Sequence, residues 1–165
     1  MKKYVLVTCV YMLTVTLAGC ARQIDKSFAA DKIRTAGGHY LNDINTRAAR
    51  DFVQRYSEAT NVEWYKVKEG YVVKFLIDSI KHQSVYKANG TWFYTIKYYK
   101  EYNMPRDVRT TVKRVYFDYT ITQIEEIRYL NTPLVYIVHL EDATTWRNVR
   151  VCEGEMEVME IYNKR

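Results

Sequence analysis

Apolar and polar positions along this chain follow a rhythm that changes as it proceeds. A largely apolar run from Tyr4 to Ala18, holding Thr8, Thr14 and Thr16, stands behind Lys2 and Lys3, and positions 21 to about 45 then sustain no period. From Asn45 onward Ala49, Phe52, Val53 and Tyr56 recur at three- and four-residue spacing, with Arg47, Arg50 and Arg55 mostly opposite them. That spacing predicts a short amphipathic helix, capped by Asn45 or Thr46 and ending near Glu58. The period next switches to two. Val62 and Trp64 alternate with Glu63 and Tyr65; after Gly70, Tyr71, Val73, Phe75 and Ile77 alternate with Val72, Lys74, Leu76 and Asp78. A third strand around Ser84 to Lys87 meets Asn89-Gly90, a strong hairpin signal, and the return strand sets Trp92, Tyr94 and Ile96 against Phe93, Thr95 and Lys97.

The same succession begins again at Pro105. Asn103 or Met104 caps a helix with Pro105 in its first turn, and Val108, Val112, Val115 and Tyr119 follow at helical spacing. Strands are expected at Thr120 to Arg128, Leu134 to Leu140, Trp146 to Cys152 and Glu155 to Tyr162. Tyr71 to Leu76 matches Tyr136 to Leu140, and Val85 to Gly90 matches Val149 to Gly154, at an offset of about 64 or 65 residues. The expected fold is therefore α+β, built from two tandem helix-plus-antiparallel-meander repeats at about 46–102 and 103–162.

The opening run sets the address. About 15 apolar residues fall short of the roughly 20 that span a bilayer. A charged head, short apolar centre and small residues at its end describe an export signal. Leu17-Ala18-Gly19-Cys20 resembles the bacterial lipobox, so 1–19 is expected to be a signal peptide and Cys20 the lipidated N-terminus. Two or more acyl chains hold a protein stably at a membrane. Positions 20–45 then read as a tether with a root-mean-square span on the order of 28 Å, although Ile24, Phe28 and Ile33 leave room for a short docked helix. The expected location is the bacterial envelope, lipid-anchored and favouring the outer membrane, on its periplasmic or surface side.

Composition narrows the partners. The 165-residue chain is formally +6; without Lys2 and Lys3 it keeps 23 basic against 19 acidic residues. These are dispersed, and an exported protein does not meet cytoplasmic nucleic acid, so no nucleic-acid partner is expected. Cleavage removes Cys9 and lipid consumes Cys20. Cys152 therefore has no intrachain partner and reads as a buried small hydrophobe. Few prolines and glycines with sixteen tyrosines indicate an ordered, sheet-rich domain.

Val62 and Trp64 after a helix, Tyr71, Val73 and Phe75 after a glycine turn, Val85, Tyr86 and Gly90 at a hairpin, and a Pro105–Val108 helix start together resemble the PepSY-like, β-lactamase-inhibitor-like secreted proteins of Bacteroidetes. The resemblance covers roughly positions 46 to 162. It implies one curved antiparallel sheet with helices on one face and the other face open to a partner. Two positions depart from it: Tyr56-Ser57 replaces Tyr-Pro, and Lys87-Ala88-Asn89-Gly90 replaces an acidic hairpin, which removes support for calcium at that turn. Kinship to an inhibitor in fold does not transfer its activity.

Catalytic signatures are sparse. His39, His82 and His139 share no metal-ligand spacing, and no HExxH, CxxC or G-x-S-x-G occurs. His39 falls in the tether, His82 in a polar loop and His139 in a strand. Ser57, Ser79 and Ser84 fall at element ends. Glu155 and Glu157 read as the wet face of the last strand, with Glu160 beyond them and Glu125-Glu126 treated alike. No catalytic residue, metal or cofactor is expected. Asn89-Gly90-Thr91 is explained by its hairpin. Asp78-Ser79-Ile80 resembles a short O-glycosylation signal of exported Bacteroidetes proteins.

The tyrosines and tryptophans offer more. Alternation directs Trp64, Tyr71, Trp92 and Tyr94 toward the helices. It leaves Tyr65, Lys74, Phe93, Lys97 and Tyr99, beside Glu63, on the opposite face as partner-binding candidates. Rigid aromatic area flanked by charge suits a protein contact. The first expectation is a non-enzymatic envelope lipoprotein that binds another protein, as an inhibitor or sensor of an exported enzyme. The alternative is carbohydrate or peptidoglycan binding, with the rings stacking on sugars. A bound metal, or a pocket gathering His139 with Glu155 or Glu157, would point to an enzyme instead.

Overall fold

The computed structural model describes residues 33–35 and 44–165. The segment expected to be a signal peptide, Cys20, His39 and most of the segment expected to be a tether lie outside the described residues. The elements in order are β1 (Ile33–Thr35), α1 (Thr46–Arg55), β2 (Thr60–Val67), β3 (Gly70–Ile77), β4 (Ile80–Lys87) and β5 (Trp92–Tyr99). A 3-10 turn (Glu101–Asn103) leads to α2 (Arg106–Val115), β6 (Thr120–Tyr129), β7 (Val135–Glu141), β8 (Thr145–Cys152) and β9 (Glu155–Asn163). Strands β2 to β9 form an open eight-stranded antiparallel sheet in sequential order, and β1 adds to β2 in parallel. The class is α+β. Within the segment read as tether, Ile33–Thr35 is strand, paired with Val62, Glu63 and Trp64. The outer edge of β2 offers backbone donors and acceptors that an extended chain satisfies.

Both helices are ten residues long, too short to persist alone, and docking holds them. Asn45 caps α1: its Oδ1 accepts from Arg47 N–H at 2.9 Å, while its Nδ2 donates to Ala88 O at 3.1 Å. A Cβ on Gly90 would stand 2.6 Å from that Asn45 oxygen. The hairpin glycine is therefore required by close approach as well as by its φ of 81°. Pro105 itself is the cap residue of α2, which begins at Arg106.

Two apolar cores result. Ala48 and Phe52 of α1 pack with Val62, Trp64, Tyr71, Val73, Phe75, Tyr86 and Trp92. Val108 and Val112 of α2 pack with Tyr99, Tyr116, Tyr119, Ile121, Ile124, Val138, Leu140, Val149 and Val151. Thr95, Lys97 and Tyr99 alternate along β5; Thr95 bonds Tyr56 at the end of α1, and Tyr99 belongs to the core of α2. Both helices therefore cover one face of the sheet.

Between the cores runs a buried polar seam. Thr95 Oγ1 lies 2.6 Å from Ser84 Oγ and 2.5 Å from Tyr56 Oη, and accepts from Trp92 Nε1 at 2.9 Å. Glu126 accepts from Tyr99 Oη at 3.0 Å and pairs with Lys97 at 3.2 Å. Such satisfaction is what makes buried polar groups tolerable. Three expectations are corrected here. His82 is not in a loop but in β4, 6% exposed; Ser84 is fully buried in mid-strand; Glu126 is buried rather than wet.

The cause for His82 and Ser84 is the β3–β4 turn. Asp78 and Ser79 take φ of 49° and 64° there, so two non-glycine residues close a tight hairpin and β4 begins at Ile80.

Candidate functional site

One register irregularity shapes the uncovered face. In β5, Trp92 pairs with Tyr86 but Tyr94 pairs with Val85, so an extra residue lies between them. Such a bulge reverses the facing of every later residue in the strand. Trp92 faces the helices as expected. Beyond it Tyr94, Ile96 and Tyr98 turn to the open face, and Thr95, Lys97 and Tyr99 turn to the helices.

This separates the candidates. Tyr65, Lys74 and Phe93 lie on the open face. Lys97 and Tyr99 do not: Tyr99 is 8% exposed, and both engage Glu126 on the helix side. Their place is taken by Tyr94, which strict alternation sent to the core because nothing in the sequence marks the bulge, and by Tyr129, one residue past the expected end of its strand. Tyr94, expected in the core, is half-buried on the open face.

Strand pairing arranges this face in rows. Tyr65, Val72, Val85, Tyr94 and Tyr129 are successive cross-strand partners from β2 to β6. Beside them run Glu63, Lys74, Gln83, Ile96, Ile127 and Val135, then Leu76, Lys81, Tyr98, Glu125 and Ile137. Phe93, at the bulge, is 44% exposed, with its ring 5.2 Å from Tyr94 and 6.2 Å from Tyr129. Lys87 Nζ stands 5.0 Å from the Phe93 ring, and Lys74 Nζ 5.0 Å from the Tyr65 ring. A depression of about 550 Å³ adjoins the rows, lined in part by Glu63, Lys74, Leu76, Lys81 and Tyr98.

The electrostatics suit binding. Tyr65 donates to Glu63 at 2.7 Å, and that bond raises its phenol above the ordinary range. Tyr98 is raised by burial and then by Glu125. Both remain neutral donors at physiological pH, set among lysines and carboxylates.

Among the described residues, the groups considered for catalysis do not come together. His139 Nε2 lies 3.2 Å from Glu125, not near Glu155 or Glu157, which stay exposed two strands away on β9. Among the described residues no three His, Cys, Asp or Glu side chains gather as a metal site. Cys152 is a free thiol, half-buried rather than buried as expected, because it pairs with Val135 on the uncovered face. Ser79 is exposed at its turn.

No protein-family model matches the sequence, and no curated protein sequence matches it significantly. The fold, in contrast, has solved counterparts. A BLIP-like protein from Bacteroides fragilis is similar at a TM-score of 0.63 and 19% identity, over 76% of this chain and 89% of that one. A DUF2874 family protein from Bacteroides uniformis gives 0.61 at 14% identity, over 72% and 88%. A protein from Bacteroides eggerthii, provisionally named periplasmic, gives 0.61 at 13% identity, over 73% and 88%. At such identities the likeness establishes the fold: this chain has the architecture of BLIP-like and DUF2874 proteins of Bacteroides.

Proposed function

We propose that this protein is a lipid-anchored, non-enzymatic component of the bacterial envelope that binds another protein through its open sheet face, as an inhibitor or sensor of an exported enzyme. The observation that carries the reading is the row Tyr65, Val72, Val85, Tyr94 and Tyr129, with Phe93 beside it, left uncovered by both helices. Contact surfaces of this kind concentrate their energy in a few aromatic anchors ringed by polar groups. A BLIP-like neighbour and one provisionally named periplasmic support an envelope binding protein. The lipobox-like Leu17–Cys20 supports a lipid anchor at Cys20, on the outer membrane, with the segment 20–45 as spacer. Two successions of one helix and four antiparallel strands, each with its own core, support descent from a duplicated unit.

The test is affinity capture from detergent-solubilised membranes with the wild-type chain and with Tyr94→Ala plus Tyr129→Ala. Loss of a specific co-purifying protein, with an unchanged melting temperature, is expected; truncating central anchors weakens binding by tenfold or more. Identical co-purifying proteins for both chains would remove the open face from consideration. Binding on a glycan array that the same substitutions abolish would replace the protein partner with a carbohydrate. Mass spectrometry of the mature N-terminus reports acylation of Cys20 independently.

A further inference from the structure

A second concavity lies on the helix-covered face, where the polar seam separates the two cores. Its volume is about 350 Å³, within the size range of small-molecule sites, and its wall includes the cations Arg55, Lys97 and Arg128, the carboxylate of Glu126, and the rings of His82 and Trp92. The cleft interrupts what would otherwise be one continuous core, and charged and polar side chains line it.

The groups converge through shared contacts. Trp92 and Tyr56 both bond Thr95, and Arg128 is the cross-strand partner of Thr95 on β6. The Arg55 guanidinium stacks over Trp92, 4.5 Å from the ring centroid. Its Nε and Nη2 bind the Asp51 carboxylate at 3.2 and 3.0 Å, which leaves Nη1 without a partner among the described residues. Asp51 is further occupied by Tyr86 Oη at 3.0 Å, and Glu126 by Tyr99 and Lys97. Arg128 has no carboxylate partner among the described residues. The two carboxylates therefore offset Arg55 and Lys97, and one positive charge is left over at Arg128.

His82 adds the opposite polarity. Its Nδ1 lies 2.9 Å from Ile80 O, and a carbonyl only accepts, so Nδ1 carries the hydrogen. Burial lowers the basicity of the ring, leaving it neutral at physiological pH. Nε2 is then an acceptor, and it has no protein partner among the described residues. Trp92, Tyr56 and Ile77 supply apolar wall.

We propose that this cleft binds a carboxylate that also carries an amide N–H and an apolar side group, the chemistry shared by N-acyl amino acids and peptide C-termini. Arg128 and the free edge of Arg55 hold the carboxylate, His82 Nε2 accepts the N–H, and Trp92, Tyr56 and Ile77 pack the side group. The cleft opens on the face opposite the proposed partner surface, so either assignment can fail without the other.

The probes are N-acetyl-phenylalanine, its C-terminal amide, and a pentapeptide ending in free phenylalanine. They are titrated into the full-length chain in detergent, with tryptophan fluorescence and the imidazole NMR resonances of His82 as readouts. The acid is expected to give a saturable response on both. Its amide should bind at least about tenfold more weakly, because it forfeits a charge-assisted hydrogen bond. Arg128→Gln should weaken the acid by a similar factor without shifting the melting temperature, since Arg128 is exposed. Arg150→Gln, on the other face, should change nothing. Tighter binding of the pentapeptide identifies a peptide terminus as the ligand; its exclusion alongside binding of the acid identifies a free small molecule. No saturable response to any probe, equal affinity for the amide, or an unaffected Arg128→Gln would overturn the proposal.

Discussion

Tyr99→Phe tests the register of β5 directly. If Tyr99 faced solvent, losing its hydroxyl would cost nothing. In the structure the ring is buried in the core of α2, and its Oη donates to Glu126 at 3.0 Å. The substitution keeps the packing and deletes one hydrogen bond to a buried carboxylate, which among the described residues then keeps Lys97 at 3.2 Å. Hydrogen bonds to charged groups contribute about 1.5–3 kcal/mol each. For a domain of this size that loss lowers the melting temperature by roughly 6–12 °C. Thermal unfolding followed by circular dichroism measures it, with Tyr65→Phe as the control. Tyr65 also bonds a carboxylate, Glu63 at 2.7 Å, but on the exposed face, so its hydroxyl should be dispensable for stability. A double-mutant cycle with Glu126→Gln should return a coupling of about 1 kcal/mol or more. Equal melting temperatures for Tyr99→Phe and Tyr65→Phe would refute the bulge-shifted facing of β5, and with it the composition of the open face.

Other perturbations probe the rest of the frame. Gly70→Ala would place a Cβ 2.0 Å from Tyr86 O and 2.8 Å from Lys87 C, both backbone atoms of the next strand. Overlap that cannot relax should destabilise by more than about 3 kcal/mol, seen as a molten or insoluble product; a folded protein of unchanged melting temperature would contradict it. Asn45→Ala removes the α1 cap and its link to Ala88, at a cost of about 1–2 kcal/mol measured by urea unfolding. A null effect there would mean that the packing of Ala48 and Phe52, rather than the cap, holds α1. Burial holds the His82 pKa below its ordinary value, so the unfolded chain binds more protons than the folded one between that lowered pKa and about 6.5. Stability should therefore be complete above about pH 6.5 and fall as the pH drops toward the folded pKa, by at most about 1.4 kcal/mol per pH unit. His82→Gln should flatten that portion of the profile, and an unaltered profile would assign the acid sensitivity elsewhere.

From α1 onward, what the sequence determined by itself was the order and kind of the elements; β1, in the segment read as tether, was not among them. Local signals carried it: Asn45 and Pro105 at helix starts, Val108 and Val112 at helical spacing, Asn89-Gly90 at a hairpin, and the two-residue alternation of Tyr71, Val73 and Phe75 all act within a few residues of themselves. Where a local signal was missing, the reading slipped. Asp78-Ser79 closes a tight turn without a glycine, and so His82 lay hidden in what looked like loop and Ser84 at what looked like a strand end. Only the tertiary structure decided which residues share a face. Facing along a strand is inherited from every residue before it, so the single extra residue near Phe93 moved Tyr94 and Tyr98 outward and carried Lys97 and Tyr99 inward. Burial of Glu126 and the meeting of Arg55, His82 and Arg128 around one cleft likewise depend on strands far apart in the chain. No periodicity within one segment can report a neighbour that arrives from another.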